Sequence, residues 1–326
     1  MTTRDQFGAT TTADEVLDGI DLSGKLVVIT GGASGLGKET ARAMAARGAH
    51  IVIPARDMGK GEAAAAEIRA ATADEKIEVM DLDLGSMASI RAFADAFLAR
   101  YDRIDLLINN AGVMACPYGE TADGLEMQFG TNHIGHFLMT NLLMPAILKG
   151  AESSGGGRIV NLSSRGHHLD TVHFDDLKFE SRGYDKWAAY GQAKTANIMF
   201  SVGLEKRLAG KGVHALAVHP GGIQTNLGRH LTEEDIAFLR KRMEDNAGES
   251  GAFKSVEAGA ATTCYAATAP ELEGKGGVYL EDCHIADVDD TDPVCSVRSY
   301  AVDPDNAEKL WAISEDIVGQ KFSFQA

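Results

Sequence analysis

Basic residues are scarce in this chain relative to acids. Thirty-one Lys and Arg against 47 Asp and Glu leave a net charge of -16. A surface that negative repels phosphate backbones and anionic lipid, which excludes general nucleic-acid or membrane-surface binding and leaves room only for a local basic pocket. Cysteine is also sparse. Cys116, Cys264, Cys283 and Cys295 lie far apart and form no C-x-x-C pair. Neither a disulfide framework nor a zinc site is expected, and reduced thiols in a cytoplasmic setting are. Long apolar runs are missing. The most apolar segment, Phe137 to Leu148, carries Thr140, Asn141 and Pro145 and is too short and polar to cross a bilayer. No charged stretch followed by an apolar one marks a signal segment, so no membrane insertion is expected.

Glycine, by contrast, is plentiful at 36 residues, which points to tight turns and close backbone approaches. Short apolar runs alternate with helical patterns along the chain. Strands are predicted at Leu26–Thr30, His50–Ala55, Ile77–Leu82, Ile104–Asn109, Arg158–Leu162, Val213–Val218 and Gly277–Leu280. Helices are predicted over Lys38–Arg47, Gly59–Ala71, Met87–Arg100, Gly124–Lys149 and Ala188–Leu208. This alternation implies right-handed βαβ units and an α/β fold, a single Rossmann-type doubly wound parallel sheet with helices on both faces. Residues 1–23 read as a polar N-terminal arm and 24–282 as the dinucleotide-binding and catalytic domain. Within it, 226–256 is a candidate substrate lid. Residues 283–326 read as a C-terminal extension packed on the same domain, with an amphipathic helix near Asn306 to Val318.

After the first strand comes Thr30-Gly31-Gly32-Ala33-Ser34-Gly35-Leu36-Gly37, running into a helix. Glycines let backbone N–H groups approach a pyrophosphate, and the helix N-terminus favours its charge. Eighteen residues past Gly37, at the end of the second strand, NAD would need a carboxylate. The chain has Ala55 there, then Arg56, with Lys60 nearby, and Asp57 is expected to cap the next helix. This favours NADP(H) over NAD(H).

The T-G-x-x-x-G-x-G spacing of Gly31, Ser34, Gly35, Leu36 and Gly37 resembles the short-chain dehydrogenase/reductase family. The likeness continues through Asp83-Leu84 (Asp81 competes), Asn109-Asn110-Ala111-Gly112 and Pro220-Gly221-Gly222-Ile223-Gln224-Thr225. The resemblance implies adenine contact by Asp83 and Leu84, cofactor contacts at Asn110, Ala111 and Gly112, and a grip on the nicotinamide by Pro220, Gly221, Ile223 and Thr225.

Tyr190 stands one helical turn before Lys194, on the same face. A free phenol titrates near 10, and lowering it to about 7 needs roughly 4 kcal/mol of differential stabilisation. The Lys194 charge and an oxidised nicotinamide are expected to supply that. Alone, Y-x-x-x-K is a common surface pair. In company with Asn161-Leu162-Ser163-Ser164 and Thr131-Asn132-His133-Ile134-Gly135-His136-Phe137, it resembles the family's catalytic tetrad. The resemblance implies that Tyr190 moves the proton and Ser164 (Ser163 competing) orients the oxygen. Lys194 tunes Tyr190 and holds the ribose, and Asn132 anchors a proton-relay water. His133, His136, His167 and His168 lack the carboxylate of an H-E-x-x-H site, so helix packing and loop hydrogen bonds are expected and no metal.

Tyr190 lies 26 positions after Ser164, longer than in the family's shorter members. The insertion from His167 to Trp187 looks like the retinol dehydrogenase and WW-domain oxidoreductase branch. That implies an alcohol or carbonyl substrate, apolar and steroid- or retinoid-like, although a membrane-anchoring N-terminal segment and a WW domain are not seen. Tyr184 and Trp187 are candidates to flank it, with packing as the equal alternative. Association as a homodimer or homotetramer through the helices around 124–149 and 188–208 is implied as well, with the tail either adding to it or blocking it. Two competing readings remain: a non-catalytic nicotinamide-binding sensor, and epimerisation or dehydration on the same fold.

Overall fold

Seven of the eight strands in the sheet run parallel. In the computed structural model, which describes residues 7–245 and 253–324, the strand order is β3-β2-β1-β4-β5-β6-β7-β8. The strands are β1 (Leu26–Ile29), β2 (His50–Ala55), β3 (Ile77–Asp81), β4 (Leu106–Asn109), β5 (Gly157–Leu162), β6 (Val213–His219), β7 (Tyr279–Glu281) and β8 (His284–Ile285). Only β7 and β8 pair antiparallel. β1, β4 and β5 are buried at every position, as central parallel strands covered on both faces must be. Helices α2 (Gly35–Ala45), α3 (Met58–Thr72) and α4 (Met87–Leu98) make the first crossovers. Order reverses between β1 and β4, which opens a crevice at their C-terminal ends.

The chain before β1 is folded from Ala13 onward. A short helix α1 (Ala13–Val16), capped by Thr12, buries Ala13, Val16 and Leu17. The polar residues of this segment mask an apolar face only a turn long, which gives no periodicity to read.

The long helix predicted over 124–149 is interrupted. It begins as α5 (Met127–Phe129), widens into a π turn over Gly130–Ile134 and continues as α6 (Gly135–Ser154). The turn places Asn132 and His133 fully inside, and such insertions commonly re-aim a helix at a functional site. α7 (Lys186–Leu208) lies beside α6, followed by α8 (Glu233–Asp245) and α9 (Val256–Thr268). α9 is absent from the sequence reading, since its alanine-rich run is buried along its length and shows no polar stripe.

The C-terminal extension carries α10 (Ser299–Val302) and α11 (Pro304–Val318). α11 lies on the outer face of α6 and α7, the face implied for contact between copies. Trp311 is its anchor. The ring is 5.0 Å from Phe137 in edge-on contact and 3.8 Å from the Arg207 guanidinium, and its Nε1–H donates to Glu315 at 3.0 Å. His133 of the π turn bonds Ser314 at 2.9 Å from beneath.

Two predictions follow from this packing. Trp311→Ala should lower stability by about 3–5 kcal/mol in denaturant titration, the cost of emptying an aromatic core site. Burial pushes the imidazoles of His133, His136 and His167 down to about 3, about 4 and about 3. Histidines in the unfolded chain bind protons below about 6.5 while these do not, so stability should fall as pH drops from there towards 4. His133→Gln should make that slope shallower by up to about 1.4 kcal/mol per pH unit.

Candidate active site

At the C-terminal end of β1 the chain turns through Gly31, at φ +69°, into the glycine loop. A side chain at Gly37 would start 2.4 Å from Asn110 Nδ2, so the loop and the β4 exit are in contact. Thr30 ties them together. Its hydroxyl accepts the backbone N–H groups of Asn110 and Ala111, both at 2.9 Å, and Asn110 Nδ2 donates to the Thr30 carbonyl at 2.8 Å. Ser34 then starts α2 without a side-chain cap, and no acid stands in the first turn. Asp57, Ser86, Asp185 and Ser255 do cap α3, α4, α7 and α9. The first N–H groups of α2 are thereby left for an anion.

This loop forms one wall of a cavity of about 870 Å³. Gly31, Ser34, Gly35, Leu36 and Gly37 line it, with Asn110, Ala111 and Gly112 from β4 and Pro220, Gly221, Ile223 and Thr225 from the β6 exit. Arg165, Lys194, Arg229 and Arg240 also line it, and among the described residues no carboxylate does. In a protein of charge -16 this is a positive well, and these residues fit an anionic dinucleotide.

Four residues expected at the cofactor lie outside that lining. Arg56 follows β2, exposed and without a bonding partner among the described residues. Lys60 is 80% exposed and pairs with Asp57 at 3.2 Å, while Asp57 accepts the Lys60 N–H at 3.0 Å and caps α3. Asp83 turns its carboxylate onto the Gly85 N–H at 2.9 Å, and Leu84 is buried in the core.

The catalytic candidates converge on the opposite wall. Asp185 caps α7 and points its first turns inward, burying Tyr190 and Lys194. The Ser164 hydroxyl accepts the Gly166 N–H at 2.9 Å, and a side chain at Gly166 would meet both it and the Tyr190 ring, at 3.3 and 2.6 Å. Ser163 is turned away, its hydroxyl donating to the Lys194 carbonyl at 2.8 Å. Lys194 Nζ donates to the Leu162 carbonyl at 3.0 Å and lies 5.6 Å from the Tyr190 ring centre.

Burial pushes the phenol up to about 12, against the smaller downward pull of Ser164, and pushes Lys194 down to about 8. The lowering expected of Lys194 together with an oxidised nicotinamide concerns the occupied site; in the protein alone desolvation dominates, and the ammonium is directed at the Leu162 carbonyl.

Asn132 is buried beside this group rather than in the cavity wall. Its amide makes two bonds with the Val113 backbone, at 2.8 and 2.9 Å, which holds the chain after Gly112. Its carbonyl accepts His136 Nδ1–H at 2.9 Å, and His136 Nε2 meets the Thr30 hydroxyl at 2.8 Å. From the sequence, His136 is expected only to pack or to hydrogen-bond locally. The H-x-x-H spacing alone carries no sign of a partner a hundred residues upstream.

Of the proposed lid, residues 246–252 lie outside the described residues. α8 is fastened to α7 by Lys186 and Asp235 at 2.6 Å and by the Trp187 and Phe238 rings, 5.3 Å apart. Trp187 lines the cavity with Leu227, Leu239 and Phe253. Tyr184 does not. Its hydroxyl donates to the Cys116 carbonyl at 2.9 Å and its ring packs on Phe179. Among the described residues no cluster of three His, Cys, Asp or Glu is placed to hold a metal, and no helix is long and apolar enough to cross a membrane.

Comparison with known proteins gives this geometry a kinship. Residues 25–236 match the family model described as short chain dehydrogenase. The chain is 43% identical to retinol dehydrogenase 12 of Mus musculus over 300 residues, covering 92% of this chain and 88% of that one. It is 41% identical to the short-chain dehydrogenase/reductase prx1 of Penicillium roqueforti over 305 residues, covering 91% and 86%. Among solved structures, an uncharacterized protein from Mycobacterium paratuberculosis superposes with a TM-score of 0.71 at 34% identity, over 97% of this chain and all of that one. The RhlG/NADP complex of Pseudomonas aeruginosa gives 0.64 at 25% identity, over 80% and 95%. Kinship at this level, running from the glycine loop through the tyrosine helix, makes this chain a member of the short-chain dehydrogenase family and an oxidoreductase.

Proposed function

We propose that this chain interconverts an apolar alcohol, steroid- or retinoid-like, and its ketone or aldehyde with NADP(H). The observation that carries the reading is the meeting of Tyr190, Ser164 and Lys194 on one wall of a cavity that no carboxylate lines among the described residues, opposite the uncapped start of α2. A bound nicotinamide dinucleotide would supply or accept the hydride. Every other role falls to side chains of the chain itself. Tyr190, protonated at neutral pH, gives its proton to the carbonyl oxygen during reduction, and Ser164 holds that oxygen by a hydrogen bond. For oxidation the phenol has to lose its proton, which requires positive charge nearby to offset burial. Lys194 supplies part of that charge and is placed to meet the cofactor ribose. Asn132 braces the Gly112 strap, and its carbonyl is the anchor proposed for a relay water.

An apolar substrate is supported by Trp187, Leu227, Leu239 and Phe253 in the cavity wall and by retinol dehydrogenases among the relatives. NADP(H) over NAD(H) is supported by Arg56, exposed just after β2 and unpaired among the described residues, and by engagement of Asp57 as a helix cap. Among the described residues no two cysteines form a disulfide, which accords with a reducing, cytoplasmic setting. A homodimer or homotetramer built through α6 and α7 would meet α11 on that face, so the extension would take part in that contact or block part of it.

Tyr190→Phe should lower turnover by at least about 100-fold while leaving NADPH affinity nearly intact, measured by cofactor absorbance and by fluorescence titration. Retained turnover would sink the acid/base role. Arg56→Asp should weaken NADPH by about 10- to 100-fold, the worth of a charge-assisted phosphate contact, and spare NADH. Equal NADH and NADPH affinity in the parent would remove the phosphate assignment.

A further inference from the structure

Beside the reacting pair lies a buried group with no part in the chemistry above. His167 is fully buried in the short turn Arg165–Leu169 that follows Ser164. Its Nδ1–H donates to the Ser164 carbonyl at 2.7 Å, and its backbone N–H reaches the same oxygen at 3.0 Å. Its Nε2 accepts the Arg298 backbone N–H at 3.2 Å. A carbonyl on one side and an N–H on the other allow only the neutral Nδ1–H tautomer. Burial and the neighbouring His168 keep the ring neutral, with a pKa of about 3.

Apart from Thr195 of α7, whose hydroxyl donates to the His167 carbonyl at 3.3 Å, the supports of this turn come from the C-terminal extension and β7. Tyr300 donates its hydroxyl proton to the His167 carbonyl at 2.6 Å. His168 bonds the Ser296 carbonyl and the Arg298 guanidinium, each at 3.1 Å. Arg298 is itself anchored on the Asp292 carbonyl at 2.7 Å. The Tyr279 ring packs against His167 at 5.0 Å. Between Ser164 and His167 the chain passes so close to the catalytic ring that a side chain at Gly166 would start 2.6 Å from Tyr190 Cε1. A small drift of this turn therefore displaces either the Ser164 hydroxyl or the Tyr190 ring.

We propose that His167 is a positioning residue for Ser164, and that the segment Ser296–Tyr300 of the C-terminal extension is the brace against which it holds the serine turn. The extension thus reaches the reaction through backbone placement alone. The proposal rests on the roles given above to Ser164 and Tyr190. A ring present only to fill space would not need a donor on one side and an acceptor on the other.

Three variants test it, with NADPH as cofactor and retinaldehyde as the carbonyl probe. His167→Phe keeps the ring and removes both side-chain hydrogen bonds. His167→Asn keeps a donor near the position of Nδ1. Tyr300→Phe removes one bond from the brace. His167→Phe should lower kcat by about 10- to 100-fold, as a slightly misplaced reacting group does, with NADPH affinity within about twofold. His167→Asn should recover most of that loss, and Tyr300→Phe should show a smaller loss of the same kind. Amide hydrogen exchange of the 164–170 peptide should quicken in both Phe variants, while that of the glycine loop stays unchanged. Unaltered kcat in His167→Phe, an equal loss in His167→Asn, or unaltered exchange in both Phe variants would overturn the proposal. If His167→Phe does not fold, Tyr300→Phe decides by the same two readouts. If the parent does not reduce retinaldehyde, that counts against the proposed substrate alone, and the exchange measurement still decides the brace.

Discussion

The Thr30 hydroxyl holds together three pieces of chain that would otherwise separate at the mouth of the sheet. β1 and β4 are neighbours, but their exits lead to different faces, one into α2 and the other towards the π turn. Both backbone N–H groups of the β4 exit, at Asn110 and Ala111, end on Thr30 Oγ1. Its one proton is directed to His136 at 2.8 Å, and His136 passes the connection to the Asn132 carbonyl. Each bond is worth only about 1 kcal/mol net, but leaving a buried partner unmade costs about 1–3 kcal/mol. All the polar groups of this cluster are therefore tied to one arrangement. The glycine loop, the Asn110–Gly112 strap and the π turn behave as a single rigid wall.

The opposite wall is organised by desolvation. Tyr190 and Lys194 are buried with no carboxylate beside them among the described residues, so the phenol is held protonated and the ammonium weakened. A site lined by cations in a strongly acidic protein attracts an anion into that gap. The same burial that makes Tyr190 a stable proton donor makes it a poor base until more positive charge arrives. Its direction of use is thus coupled to what occupies the cavity. The Ser164 turn, pressed against the tyrosine ring and backed by the C-terminal extension, completes this wall.

Much of this was legible in the residues alone. The alternation of short apolar runs with helices determined the parallel sheet, because βαβ units admit one hand and strands buried on both faces must be apolar throughout. Thr30 to Gly37 announced an anion loop, and Tyr190 with Lys194 announced a pair on one helix face, because both signals lie within a single element where spacing is geometry. Ser164 and Ser163 could not be separated by sequence, since both end the same strand. Only the packed α7 shows that Ser163 bonds the Lys194 carbonyl while the Ser164 hydroxyl lies in the turn pressed on the Tyr190 ring.

What tertiary structure decided lies between elements far apart in the chain. The bonds joining His133 of the π turn to Ser314, Thr30 to His136 and His167 to Arg298, and the seating of Trp311 on α6 and α7, all depend on partners more than a hundred residues distant. Local pattern carries no information on such pairs, because a histidine or tryptophan reads alike whether it faces a neighbour or water. The same limit applies to the sign of the Tyr190 shift. Spacing places the lysine on the correct face, but the balance between its charge and the loss of water is set by how deeply the fold buries both.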